Sequence, residues 1–71
     1  MKDLDRRFGN IAMEKGFVTI EQLVHAITIQ VMEEVEKGIR KLIGNILNEQ
    51  GQISEAQMEE VLKELMKDPR D

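Results

Sequence analysis

The chain contains no cysteine, so it has no disulfide and no thiolate zinc site to brace it. Tryptophan and tyrosine are also missing, and Phe8 and Phe17 are the only aromatic residues. Any core must therefore be aliphatic, built from Leu, Ile, Val and Met. Proline occurs once, at position 69, and leaves the rest of the chain open to helix. There is a single histidine, and no Ser/His/Asp set forms without borrowing distant residues. No run approaches the roughly 20 apolar residues of a membrane span, so no membrane insertion is expected. The charged start, Met1 to Arg7, has no apolar run behind it and does not read as a signal peptide. A cytoplasmic protein is the expectation.

What is present is modest. At 71 residues and 41% hydrophobic, the chain has material for one small core. A core of this size seldom supplies more than about 3–5 kcal/mol, which makes self-association a source of extra burial. The net charge is −4, with most of the excess acid after residue 40. Its basic clusters are two short pairs, Arg6-Arg7 and Arg40-Lys41. That is not the basic face that displaces phosphate counterions, so no nucleic-acid partner is expected.

The strongest feature is an internal duplication. The segment from Phe8 to Ile27 aligns without a gap on the segment from Ile43 to Leu62, an offset of 35 residues. Gly9-Asn10-Ile11 recurs as Gly44-Asn45-Ile46, Gly16 as Gly51, and Thr19 as Ser54. Each copy carries the signals of a helix, a tight turn and a second helix. Gly16 and Gly51 supply the left-handed residue that closes a helix, and Val18 and Ile53 sit where an apolar contact back onto that helix accompanies such a cap. Thr19 and Ser54 are N-caps, with Gln22 and Gln57 three residues on to complete capping boxes.

The first helix is expected to begin near Asp3 or Asp5, with Leu4, Phe8, Ile11 and Ala12 on one side. The second runs from about Ile20. It carries two apolar lines, one through Leu23, Ile27, Val31 and Val35, and one through Val24, Thr28, Met32 and Val35. This arc is wider than a small core can cover, so Val24, Thr28, Met32 and Val35, with nearby Ile39, form a candidate interface. Gly38 either ends this helix or sits within a longer one reaching about Gln50; a break is favoured, since no other residue there could stop it. The last helix follows Ser54 with a stripe of Met58, Val61, Leu62, Leu65 and Met66. The expected fold is all-α: two tandem helix–turn–helix hairpins forming a small four-helix unit with an internal pseudo-twofold repeat. Residues 1–66 make one domain (repeat one 7–30, linker 31–41, repeat two 42–65), and 67–71 a frayed tail.

Candidate chemistry is sparse. His25 reads as an edge histidine, since it lacks the neighbours that orient a catalytic one. Glu33, Glu34, Glu36, Glu59 and Glu60 read as solvated faces rather than a cation site, which needs oxygens converging from a shaped loop. Gly9 and Gly44 fall inside or at the start of helices, where glycine is costly. They mark either close helix packing or close approach of backbone to a ligand such as a phosphate. Arg7 beside Gly9 suits an anion, because a guanidinium matches phosphate oxygens.

The run Arg7-Phe8-Gly9, then Gly16, Phe17-Val18, Leu23, Ile27 and Gln30, resembles the repeat of the MshEN domain, the N-terminal domain of type II secretion and type IV pilus assembly ATPases. The resemblance spans residues 7–30 and 42–65. In members that bind cyclic di-GMP, each motif opens with Arg-Leu-Gly and closes with Gln. Carried over by position, it implies ligand contacts at Arg7, Phe8, Gly9, Gly16 and Gln30 in the first copy, and at Gly44 and Gly51 in the second. The second copy departs from the pattern: Leu42 stands for the Arg and Leu65 for the closing Gln, and the linker from Val31 to Lys41 is long for the family. No phosphate-cradling Gly-x-x-x-x-Gly-Lys-Ser/Thr run follows. The expected function is thus a non-enzymatic protein-interaction or regulatory module, working with a protein partner or as a homodimer and needing no cofactor. The alternative is a cyclic di-GMP sensor in which two chains pair their first motifs.

Overall fold

The computed structural model describes residues 3–67. It contains α1 (Asp3–Glu14), α2 (Ile20–Lys37), α3 (Ile43–Glu49) and α4 (Glu55–Lys67), with no strand among the described residues. The fold is the expected all-α four-helix unit. Lys67, placed with the tail in the sequence reading, belongs to α4; the remaining tail, residues 68–71, lies outside the described residues, as do residues 1–2.

The duplication is repeated bond for bond at the turns. Gly16 (φ 78°) and Gly51 (φ 74°) are left-handed. Phe17 N donates to Ala12 O at 2.9 Å, and Gln52 N donates to Leu47 O at 2.9 Å. Val18 and Ile53 then fold back into the core. Both capping boxes close. Gln22 N donates to Thr19 Oγ1 and Thr19 N to Gln22 Oε1, at 3.1 and 3.0 Å. The Ser54–Gln57 pair has the same two distances. The join between repeats is a break: α2 ends at Lys37, and Gly38 caps it in the left-handed conformation (φ 69°).

The helices pair across the repeats. α2 packs on α3, α1 packs on α4, and α1 also crosses α3. Exchanging the two repeats maps the first of these pairings onto the second, which is the packing signature of a pseudo-twofold. The core takes Phe8, Ala12, Val18, Leu23 and Ala26 from the first copy and Ile43, Ile46, Leu47, Ile53, Val61 and Leu65 from the second. Neither copy encloses a core of its own.

Two expected faces shift. On α1 the buried side is Asp5, Phe8, Gly9 and Ala12; Leu4 is exposed and Ile11 half-buried. On α2 the buried residues are Leu23, Ala26 and Gln30, whereas Val31 and Val35 are exposed. Leu23, Ala26 and Gln30 follow three- and four-residue steps, which hold one helix face, whereas the four-residue line through Val31 and Val35 rotates about 40° per step and leaves the core. Of the α4 stripe, Val61 and Leu65 are buried, Met58 is half-buried, and Leu62 and Met66 are exposed.

Candidate functional site

α3 begins without a cap of its own. Its N-cap position is Leu42, which has no side chain that could accept from the first amides. The missing acceptor comes from another helix: Ile43 N donates to Asp5 Oδ1 at 3.1 Å. The other carboxylate oxygen accepts from Gln30 Nε2 at 2.9 Å, and the same amide nitrogen donates to Lys41 O at 2.7 Å. Asp5 is 3% exposed and Gln30 7%. A buried carboxylate is tolerable only with such donors, and here each oxygen has one. The cluster joins α1, α2, the linker and α3 at a single point.

Lys41 closes the same corner from outside. Its ammonium donates to Glu49 Oε1 at 3.0 Å and lies 3.7 Å from Glu33 Oε1. The Glu49 hydrogen bond, aided by the charges of Glu33 and Glu49, raises Lys41 above its ordinary pKa. Arg40 pairs with Glu34 at 2.7 Å.

The residues carried over from the family resemblance go to different places. Gln30 turns inward to Asp5. Arg7 lies two residues beyond Asp5, about 200° around α1, half-buried with its guanidinium 3.9 Å from Asp3. Arg7 and Gln30 are therefore not brought together. Phe8 and Gly44 are: a Cβ on Gly44 would stand 2.8 Å from Phe8 Cζ. A Cβ on Gly9 would meet the Leu23 methyls at 3.0 and 3.1 Å. Close packing thus accounts for both helical glycines. Gly16 and Gly51 serve the turns, with nothing within 4 Å of where a Cβ would be. His25 is exposed on α2. Among the described residues, no group of three or more His, Asp or Glu is placed to hold a metal ion.

Sequence reasoning missed Asp5. It did mark the residue as a helix start, but the helix that Asp5 starts lies 38 residues away. One signal was available: α3 has a leucine where Thr19 and Ser54 cap α2 and α4, so its first amides needed an acceptor from elsewhere.

Two apolar surfaces stand out among the described residues. A groove of about 60 Å³ lies among Leu4, Phe8, Leu42, Met58 and Leu62. It can take a side chain, being far below the ~300 Å³ where ordinary ligand sites begin. The larger surface is the outer face of α2. Ile20, Val24, Val31 and Val35 fall within about 60° of arc and are each more than half exposed, Val35 at 78%. Met32 widens the strip, and Ile39 continues it just past the helix end. Thr28 donates its hydroxyl to Val24 O at 3.0 Å, which ties down the polar group of that side chain.

No helix among the described residues is long and apolar enough to cross a membrane. Comparison of the chain with protein-family models, curated proteins and solved structures finds no match.

Proposed function

We propose that the protein is a non-enzymatic, cytoplasmic interaction module that pairs with a second copy of itself through the outer face of α2. The observation that carries this reading is the exposed strip of Ile20, Val24, Val31 and Val35 along a helix whose Leu23, Ala26 and Gln30 side is already packed. Contiguous apolar surface on so small a chain marks a contact site. The spacing favours a second copy. In an antiparallel pair centred between Ile27 and Thr28, Ile20 lies opposite the partner's Val35 and Val24 opposite the partner's Val31. Each of these four positions then meets another of the four, as a twofold interface requires.

Sedimentation equilibrium tests this. The wild-type chain is expected to dimerise reversibly through this face, and the double variant V24E/V31E to lose that association with unchanged helicity, so that its dimerisation constant falls. A wild-type chain that stays monomeric at its highest soluble concentration sinks the reading.

The alternative, a cyclic di-GMP sensor, rests on the resemblance at Arg7, Gly9 and Gln30. Calorimetric titration with cyclic di-GMP separates the two. Heat abolished by Arg7→Ala supports the sensor, and silence from a folded sample rules it out.

A further inference from the structure

The major packing surfaces run between repeats, α2 against α3 and α1 against α4, while the chain between the repeats is only the segment from Gly38 to Leu42. Polar ties cross the same boundary: Asp5 to Ile43 N, and Lys15 to Glu60 and Glu64. None of these contacts requires both partners to belong to one chain.

The linker decides whether they do. Gly38 is exposed, with φ 69° and nothing within 4 Å of a built Cβ, so its contribution is conformational: it turns the chain back on itself. Ile39, Arg40, Lys41 and Leu42 include no helix breaker, and Leu42 has no capping side chain to begin α3. The start of α3 is set by Asp5, a residue of the other repeat.

We propose that Gly38–Leu42 is a hinge through which two copies exchange repeats. The first repeat of each chain packs on the second repeat of the other, giving a twofold dimer of two native-like four-helix units. Exchange of identical elements through a short linker is a low-cost route to dimers, because the closed chain and the dimer share the same inter-repeat contacts. The exchange uses the inner faces of the helices. It leaves Ile20, Val24, Val31 and Val35 exposed, and so stands independently of pairing through the outer face of α2.

Two full-length variants test it. Ala12→Asp and Leu47→Asp each place a charge at a fully buried position, one per repeat. Mixed in urea and refolded together, they can form an exchanged dimer in which one unit receives both intact repeats. The mixture is expected to gain helicity and a cooperative melt beyond the average of the separate samples, in a particle with the mass of a heterodimer. A mixture that equals that average overturns the hinge. Gly38→Ala is the second arm. Alanine disfavours the left-handed turn and favours continued helix, so the dimerisation constant should rise roughly tenfold or more. Adding V24E/V31E should not reverse that rise. A Gly38→Ala chain that remains monomeric at concentrations where the wild type is monomeric overturns the proposal as well.

Discussion

Gln30 on α2 and Asp5 on α1 share a 2.9 Å hydrogen bond inside the molecule, and through it the two helices of the first repeat hold the first amide of the second. Leu65, the counterpart of Gln30 in the second copy, is buried to the same degree, at 8% against 7%. One position thus serves the core as a leucine and the clamp as a glutamine.

Removing the clamp should be costly. Asp5→Ala leaves the Ile43 amide without its acceptor, and a stranded buried donor costs about 1–3 kcal/mol. Urea unfolding should show a lower midpoint with an unchanged slope. Asp5→Asn restores little, because its amide group faces a donor on one side. Gln30→Leu, which makes the two copies alike at this position, should also destabilise, since the buried Asp5 oxygen that accepted from Gln30 loses its partner. A stable Gln30→Leu chain would mean that the carboxylate is satisfied elsewhere.

Local signals were legible and remote ones were not. The turn glycines, the Thr19 and Ser54 caps and the fold-back of Val18 and Ile53 are all settled within a few residues of chain, so a linear reading reaches them. Asp5 acts on Ile43 and Gln30 on Lys41 O, over separations that no local pattern records. The wide apolar arc of α2 was visible, but its core side was not. That side depends on where α3 packs, and it selects the small Ala26 and the polar Gln30 over the more apolar Val31 and Val35.

The two capping boxes offer a test of the repeat itself. Their four hydrogen bonds match in length, so Thr19→Ala and Ser54→Ala should each cost about 1 kcal/mol. For a domain of this size, that is a fall of about 4–8 °C in Tm. The sites are in different repeats and share no partner, so the double variant should lose the sum. A marked inequality between the two single variants would show that one helix start depends on its cap more than the geometry implies.

Lys15 should matter little by comparison. It reaches Glu60 at 3.2 Å and Glu64 at 3.8 Å on α4, but both carboxylates are exposed. An ion pair of this kind contributes about 0.2–1 kcal/mol and weakens with added salt. Lys15→Met should shift the urea midpoint slightly at low salt and not at all near 1 M. A salt-independent loss would assign the effect to packing of the lysine stem instead.

The two helical glycines should respond differently to the same methyl group. At Gly9 the added Cβ meets the ends of a flexible leucine, Leu23, at 3.0 Å or more, and a few tenths of an ångström of movement relieve it. Alanine gains about 1 kcal/mol in a helix interior, so Gly9→Ala should be close to neutral or stabilising. At Gly44 the Cβ stands 2.8 Å from the Phe8 ring, which is buried and cannot bend. Overpacking there should cost about 1–3 kcal/mol and exceed the helical gain. Phe8→Leu removes the obstructing ring edge, so Gly44→Ala should be tolerated in that background although it is not in the wild type. Chemical denaturation of the four chains gives the coupling between residues 8 and 44, expected to exceed about 0.5 kcal/mol. A coupling near zero would mean that the ring relaxes freely and that Gly44 is kept for another reason, with close approach of a ligand the reading that remains.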